Sequence, residues 1–388
     1  MKICILTPRF PFPENGGDVL RINNIARYLK SCGHRLVLVS FSDVTHPEVD
    51  TASTLYDKVF FTPRKPLLSI LNALLFMLSG RPLQCGYYHS RTYLTLLKSV
   101  VEKEQPDLFI SHLLRMSPYL EKLHVETHSI VEMTDALSKT YLMSAKAKGG
   151  GGKKFVYGFE QRLIRKYERK VIRTFPKVVL VSGADVDFLK EYVSGPSSSL
   201  AMFSNGVTCM ENITEVYDAD KICFVGNMRT LQNQDAVQYF VEEILPLIHK
   251  ERPTVKFHIV GAEPPQHIQT LASENVVVTG FVENLEAAIA DSCLSVAPVR
   301  VAAGIQNKVL VAMGCGLPVV MSRLISFAIP ELRDGENCII RDDAKSMAEQ
   351  CLHLMRDRDA RNEIARKGFE MVRHHYSWDE KLKGYELL

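Results

Sequence analysis

A glycine loop near residue 300 has the residue types of a phosphate-binding loop. Residues 297–320 read as a strand, a loop containing Gly304, a helix, a Gly-x-Pro turn and a second strand. Helix N-terminal amides and a nearby cation both attract anions, and Lys308 supplies the cation one turn into the helix. The amides in position to face an anion are those of Ile305, Gln306 and Asn307. This pattern predicts a diphosphate site.

A second glycine pair, Gly16 and Gly17, follows the proline-rich loop after the first strand and leads directly into a helix. Glycines at a helix N-terminus allow backbone N–H groups to approach an anion closely. The same pair is also what a prolyl loop needs in order to turn into a helix, because glycine adopts torsions that other residues avoid. Both interpretations are open for this loop.

The elements that would position these loops alternate between strands and helices. Five apolar strands are predicted in the first half, at 2–7, 35–40, 107–111, 129–133 and 177–182, and five in the second half, at 221–226, 255–261, 275–280, 293–298 and 317–321. Continuous apolar strands joined by helices indicate parallel sheets that are covered on both faces. We therefore predict an α/β fold with two Rossmann-like doubly wound domains and a linker between about residues 194 and 215.

Composition restricts the class of protein and its partners. The chain of 388 residues exceeds the size of one ordinary core, and its nine cysteines include no CxxC pair, so we expect reduced core thiols and no metal site. No apolar run is long enough to span a membrane and no signal-peptide pattern is present, so we expect a cytoplasmic protein. Nucleophile-elbow, HExxH, Walker and GxGxxG patterns are missing, which argues against hydrolases, zinc proteases, kinases and dehydrogenases.

Charge is divided unevenly along the chain. Residues 1–200 carry 28 Lys and Arg against 18 Asp and Glu, and the remainder carries 19 against 26. A basic half without a nucleic-acid motif suits an anionic membrane surface or a phosphate-bearing substrate. A chance excess of solvated lysines is the alternative.

Several spaced motifs together resemble one family. They are the Gly16-Gly17 loop, the opening of the second domain at 224–228, Asn233-x-Asp235-Ala236, 259–261, 278–282, 304–310 and the closing 375–378. With these motifs in this order, the chain resembles the GT-B fold glycosyltransferases of the retaining family-4 type, and within them the sugar transferases of exopolysaccharide systems. The resemblance covers nearly the whole chain.

The resemblance implies a division of labour and a set of site residues. Residues 1–204 would bind a glycan or lipid-linked acceptor, 205–367 would bind a nucleoside-diphosphate sugar without metal or cofactor, and a helix at 368–388 would return to the first domain. Catalytic roles fall to Arg229, Lys308 and His112, and an acceptor-side role to Asp135. The donor would be bound by Gly16, Gly17, Asn205, Gly226, Asn227, Phe281, Val282, Glu283, Gly304, Ile305, Gln306 and Asn307.

The chain also departs from the family pattern. The two glutamates that the family carries around the glycine loop are replaced by Ala303 and Val311. Asn227 and Gln232 occupy the positions of the family's usual Arg and Lys. The available substitute cations are Arg229, Arg300 and Lys308. A non-catalytic GT-B subunit that partners another transferase, or a sugar-nucleotide epimerase, are therefore the alternatives to a transferase.

Three acceptor-side or junction positions have two interpretations each. His112 is either a cleft histidine or a strand-end residue that caps a carbonyl, and Asp135 either binds a hydroxyl or caps the next helix. Asn205, followed by Gly206, is either a hinge turn or a cleft contact.

The apolar segment 67–78, bounded by Arg64-Lys65 and Arg81, is too short to span a bilayer. It could dock on the inner face of a membrane near a lipid-linked acceptor, or it could be a helix buried in the first domain.

Overall fold

The chain forms two compact units in the computed structural model, which describes residues 1–14, 16–44, 47–146, 151–191, 199–211, 216–301 and 306–385. The first unit is Met1–Asn205 together with the C-terminal segment from Leu382, and the second is Gly206–Lys381. Each unit is built around its own parallel sheet.

The sheet of the first unit has seven strands in the order β3-β2-β1-β4-β5-β6-β7, and every neighbouring pair is parallel. The strands are β1 Lys2–Thr7, β2 Arg35–Ser42, β3 Lys58–Pro63, β4 Leu108–His112, β5 Ser129–Thr134, β6 Lys177–Leu180 and β7 Leu200–Met202. The central strands are buried along most of their length because helices cover both faces of the sheet.

Nine α-helices connect these strands in the part of the first unit that is described. They are α1 Gly17–Ser31, α2 Val49–Leu55, α3 Pro66–Leu78, α4 Leu83–Tyr87, α5 Arg91–Glu104, α6 Ser117–Leu123, α7 Leu137–Lys146, α8 Gly151–Thr174 and α9 Gly183–Lys190. The interpretation of segment 67–78 as a buried helix is wrong. Only Ser69 and Ala73 of α3 are buried, and Phe76 is partly buried against the core of the first unit.

The second unit has six parallel strands in the order β10-β9-β8-β11-β12-β13. The strands are β8 Asp218–Val225, β9 Lys256–Val260, β10 Val276–Gly280, β11 Ser292–Ala297, β12 Val319–Met321 and β13 Ile339–Ile340. Its helices are α10 Leu231–Tyr239, α11 Leu245–His249, α12 Gln266–Gln269, α13 Leu285–Ile289, α14 Asn307–Gly314, α15 Arg323–Ser326, α16 Ala344–Arg356, α17 Arg358–His375 and α18 Trp378–Leu382. The predicted class, α/β with two doubly wound parallel sheets, is confirmed.

The C-terminal segment joins the first unit at Leu382, later than residue 368 where the sequence suggested that a returning helix starts. Helix α17 packs within the second unit, where a β-carbon at Gly368 would lie 2.8 Å from the carbonyl oxygen of Asn337. Beyond it, the Tyr385 ring packs 5.0 Å from the ring of Phe203 in the first unit.

Candidate functional site

The loops after β8 and β9 touch each other through two glycines. A β-carbon on Gly261 would lie 1.9 Å from the carbonyl oxygen of Gly226, and one on Gly226 would lie 2.6 Å from Asn233 Nδ2. The Gly226 amide also donates to the carbonyl of Val260 at 3.0 Å. These contacts bring the ends of β8 and β9 together at the carboxyl edge of the sheet, where ligands of open α/β sheets bind.

Substituting Gly261 should therefore destabilise the second unit strongly. We expect Gly261→Ala to cost about 1–3 kcal/mol of unfolding free energy, because its methyl group would overlap a backbone carbonyl that cannot move alone. Gly280→Ala is the matched control. Gly280 has a φ of +69° but open space around it, so only a backbone cost of about 1 kcal/mol is expected. Urea unfolding of both variants compares them, and equal losses would contradict the close approach.

Hydrogen bonds through the amide groups of Asn227 and Asn233 connect this contact to Lys308. The Asn227 carbonyl accepts from Asn233 Nδ2 at 2.8 Å, and Asn227 Oδ1 accepts from the Arg229 amide at 2.9 Å. Asn233 Oδ1 in turn accepts from Lys308 Nζ. Two of the predicted site residues, Asn227 and Lys308, are thus joined through Asn233.

Lys308 is a half-buried cation at the second residue of α14. Its Nζ lies 5.1 Å from the centroid of the Phe224 ring, and burial lowers its pKa to about 8. Among the described residues no carboxylate lies within 4.0 Å of Nζ. Positive charge from Lys308 and from the N-terminal amides of α14 is therefore concentrated at one place. No carboxylate in the described part of the chain neutralises it.

The end of the glycine loop is anchored to α10. Gln306 is 7% exposed, and its Oε1 accepts from Gln232 Nε2 at 2.6 Å. Asn307 beside it is exposed. Gly304 and Ile305, with Ala303, lie outside the described residues. Val311, where the family has a glutamate, is partly buried and packs on the core of the unit.

The two candidate arginines differ from Lys308 because each already has a carboxylate partner. Arg229 Nε donates to Glu263 Oε2 at 2.5 Å. Arg300 Nε donates to Asp235 Oδ2 at 3.1 Å, and its guanidinium lies 4.6 Å from the centroid of the Tyr239 ring. Of the three predicted substitute cations, Lys308 is the one whose counter-charge is missing from the described residues.

The segment after β10 presents an aromatic side chain to solvent. Gly280 ends the strand, Phe281 is 68% exposed, and Glu283 is exposed as well. Val282 between them is half-buried against the core of the second unit, which fixes the segment. An exposed aromatic ring on a fixed segment is able to stack on a planar ligand.

In the first unit, Gly16 is the N-cap of α1 and Gly17 is its first residue. Gly16 has a φ of +117°, so its torsion favours glycine, whereas a β-carbon on Gly17 would meet nothing within 4 Å. Asp18 in the first turn of the helix pairs with Arg9, at 3.0 Å from Nε to Oδ2. Burial raises the pKa of Asp18, but the hydrogen bond and charge of Arg9 outweigh it, and the net pKa lies below the ordinary value.

Polar groups without partners occur at the ends of β4 and β5. His112 is 2% exposed, and neither ring nitrogen has a hydrogen-bond partner of ordinary geometry among the described residues. Both interpretations of His112 stay predictions. Burial lowers its pKa to about 3, which keeps the ring neutral. Thr134 Oγ1 is also buried without a partner, and Leu113 and Thr134 have φ angles of +69° and +68°. Such strain and unsatisfied polarity at strand ends often mark functional positions. Nothing in the sequence singled out Leu113 or Thr134.

Asp135 follows β5 and is exposed. Helix α7 begins only at Leu137, and its first turn is capped by Glu168, whose carboxylate accepts from the Ser138 amide at 3.0 Å. The cap interpretation of Asp135 is therefore not supported. Burial, and then the negative charge of Asp185, raise the pKa of Asp135.

Asn205 takes part in a buried ionic network. Arg21 Nε donates to Glu132 Oε1 at 2.8 Å, with side chains 1% and 0% exposed. Arg21 Nη1 donates to Asn205 Oδ1 at 2.9 Å, and Tyr385 donates to Glu132 Oε2. The side-chain oxygen of Asn205 is thus occupied within the first unit, while its donor-binding role stays a prediction.

The described residues contain neither a cluster of metal ligands nor a helix able to span a membrane. No group of three or more His, Cys, Asp or Glu side chains there is placed to hold a metal ion. None of the helices in those ranges has the length and apolar character needed to cross a bilayer.

Residues 219–357 match the family model described as Glycosyl transferases group 1. The matched residues lie within the second unit. Over nearly its full length the chain is similar to an uncharacterized 44.6 kDa protein in the cps region of Klebsiella pneumoniae. The two are 24% identical over 396 residues, which cover 97% of this chain and 96% of that one.

Solved structures show the fold of the whole chain. HepE of Anabaena, in complex with UDP, has a TM-score of 0.58 at 14% identity and covers 100% of this chain and 99% of its own. Sucrose-phosphate synthase from Thermosynechococcus elongatus and TarM each have a TM-score of 0.59 at 14% identity, covering 100% of this chain and 98% of theirs. The predicted GT-B fold is confirmed.

Proposed function

We propose that this protein is a retaining glycosyltransferase of family 4 that transfers a hexosyl group from a nucleoside-diphosphate sugar to a polysaccharide or lipid-linked glycan. Lys308 is the observation that carries the proposal. It is a half-buried cation without a carboxylate partner among the described residues, at the N-terminus of α14, inside the region that matches the Glycosyl transferases group 1 model. A diphosphate supplies the negative charge that this arrangement lacks.

The second unit would stabilise the leaving group electrostatically. As the bond between the sugar and the diphosphate breaks, negative charge grows on the diphosphate, and Lys308 with the α14 amides is placed to stabilise it. Because these groups carry the charge, we propose that transfer requires no metal ion. Phe281 would stack on the base of the nucleotide. HepE has been crystallised with UDP and with UDP-glucose, which supports a nucleotide-sugar donor here.

The first unit would bind the acceptor through the ends of β4 and β5. Neutral His112 can both donate and accept a hydrogen bond, and Thr134 Oγ1 is likewise unsatisfied. Both suit a sugar hydroxyl, and Asp135 nearby along the chain offers a further acceptor. Retention follows if the departing phosphate oxygen takes the proton of the acceptor hydroxyl on the same face of the sugar. The relative from a cps region supports a polysaccharide or lipid-linked acceptor.

Donor binding should depend on pH through Lys308. Because burial lowers its pKa to about 8, affinity for a nucleoside diphosphate should fall about tenfold per pH unit above that value as the free protein loses the cation. Stability should change in the opposite direction. The unfolded chain keeps the proton up to the ordinary lysine pKa of 10.5, so raising the pH from 8 towards 10.5 should stabilise the unliganded fold.

Ligand titrations and urea unfolding from pH 7 to pH 10 measure the donor affinity and the unfolding free energy. The same measurements on Lys308→Met give the contribution of all other titrating groups, which is subtracted. If the affinity of both proteins falls in parallel, the cation is not the group that binds the diphosphate.

A non-catalytic GT-B subunit is the second candidate, and Val311 is the observation that favours it. This apolar side chain packs on the core at a position where the family carries a carboxylate. A transfer assay separates the two functions. The protein is incubated with UDP-, GDP- and ADP-sugars and a lipid extract, and release of the nucleoside diphosphate and the anomeric configuration of the product are measured by NMR. Release with retained configuration supports the transferase; donor binding without release supports the subunit.

As part of this proposal, the protein binds the inner face of the membrane, and helix α3 makes the contact.

A further inference from the structure

Helix α3 exposes an apolar surface over its whole length. Seven of its leucine and isoleucine side chains are exposed by 48% to 83%, with Leu74 the least and Leu67 the most exposed. A helix with so much apolar surface in water indicates a partner that covers it.

Packing against α4 fixes this orientation. A β-carbon on Gly86 would lie 2.6 Å from the carbonyl oxygen of Asn72 and 2.7 Å from both the α-carbon of Ala73 and the β-carbon of Phe76, so the two helices are in close contact at Gly86. Asn72 Nδ2 also donates to the carbonyl of His89 at 2.9 Å. With the face that carries Ala73 and Phe76 held on α4, the helix directs its leucines outward.

A groove runs beside α3 and is apolar on one side and basic on the other. Its volume is about 650 Å³. The apolar wall includes Leu68 and Phe76, and the polar wall includes Arg64 and the first turn of α5 with Arg91. An occupant that fits both walls has an apolar chain and an anionic group.

Two cations lie at the polar wall of the groove, because Arg91 lines it and Lys122 is next to His89, which also lines it. Lys122 Nζ lies 3.1 Å from His89 Nε2, and His89 Nδ1 is buried without a partner. Burial and then the charges of Lys122, Arg81 and Arg91 lower the pKa of His89 to about 4. Burial and then Arg81, Arg91 and Lys98 also lower the pKa of Lys122. In the described ranges no carboxylate lies within 4.0 Å of the charged groups of four cations, which are Arg81, Arg91, Lys98 and Lys122.

We propose that α3 lies flat in the surface of an anionic bilayer, with the phosphate of a membrane lipid at the Arg91–Lys122 cations and its chain in the groove beside α3. The helix is about 20 Å long, shorter than the roughly 30 Å bilayer core, and so it binds along the interface. Phosphate groups supply the negative charge that these cations lack. The proposal deepens the proposed function, on which it rests, by assigning the membrane contact to named residues.

Vesicle flotation tests the membrane contact in the full-length protein. The vesicles contain phosphatidylcholine alone or mixed with an equal amount of phosphatidylglycerol. We expect binding to the mixed vesicles, weakened at least about tenfold by the double substitution Leu67→Gln, Leu78→Gln and about fivefold by Arg91→Gln. Phe327→Gln is the matched control, because Phe327 is 76% exposed in the second unit, and it should bind as the wild type does. These side chains are exposed, so thermal melts should show all variants folded.

Several results would overturn the inference. Failure of the wild type to float with mixed vesicles, or flotation of the α3 variants at the wild-type level, excludes the membrane contact. If the protein binds inorganic phosphate but does not float, the cations form a site for a free anion. If sedimentation shows a wild-type dimer that the Leu67→Gln, Leu78→Gln variant does not form, a second copy of the chain covers α3. Nucleoside diphosphate affinity, titrated without lipid, distinguishes failure of this inference from failure of the proposed function.

Discussion

Replacing Lys308 by methionine should weaken binding of a nucleoside diphosphate by about tenfold to a hundredfold, the effect of losing a charge-assisted contact to phosphate. Methionine preserves the length and apolar stem of the side chain while removing its charge. Because Lys308 has no carboxylate partner among the described residues, its removal should leave no opposite charge stranded. Calorimetric titration with UDP, GDP and ADP measures the affinity.

Two matched variants make this result specific. Lys345→Met removes an exposed lysine of the same unit and should leave the affinity unchanged. Arg229→Met should have a smaller effect than Lys308→Met, because Arg229 already pairs with Glu263. An affinity unaltered in Lys308→Met, with wild-type binding intact, would remove Lys308 from the site.

Breaking the buried Arg21–Glu132 pair should destabilise the first unit by about 3–5 kcal/mol. Arg21→Met leaves Glu132 buried without its cation and also removes the donors to Asn205 and the Phe203 carbonyl. Tyr385 still donates to Glu132, but a neutral hydroxyl does not neutralise the carboxylate. Urea unfolding and hydrogen exchange in the first unit measure the loss.

The control for this variant is an exposed ion pair of similar chemistry. Arg366→Met removes one partner of the Arg366–Glu370 pair on α17 and should cost no more than about 0.5 kcal/mol. A second substitution, Glu132→Met in the Arg21→Met background, should restore part of the stability because no buried charge remains. A loss in Arg21→Met as small as that in Arg366→Met would contradict the buried network.

Much of the fold could be predicted because buried parallel strands leave a strong local signal. Strands β1 and β11 are mostly apolar, with buried side chains on both faces, and their lengths follow from the sequence. Strands β3, β7 and β13 were not predicted, and β13 has only two residues. Short or partly exposed strands leave a weak hydrophobic pattern in the sequence. Strand β7 is a three-residue edge strand, and β3 is only partly buried.

The candidate site could be predicted only where it depends on local backbone. Glycine loops and the position of Lys308 at a helix start are visible in the sequence, whereas pairing between distant loops is not. Arg229 meets Glu263 across 34 positions, and Arg21 meets Glu132 across 111. No sequence periodicity links such residues. The ion pair of Arg229 with Glu263 and the buried network of Arg21 could therefore be found only from the structure. The outward orientation of α3 depends similarly on its contact with Gly86 of α4.

The most direct test of the account is a crystal structure of the protein with the nucleoside diphosphate that binds it most tightly. We expect a phosphate oxygen within about 3 Å of Lys308 Nζ, at the N-terminus of α14, with the base beside Phe281. A nucleotide bound away from Lys308, or no nucleotide bound at saturating concentration, would contradict the account.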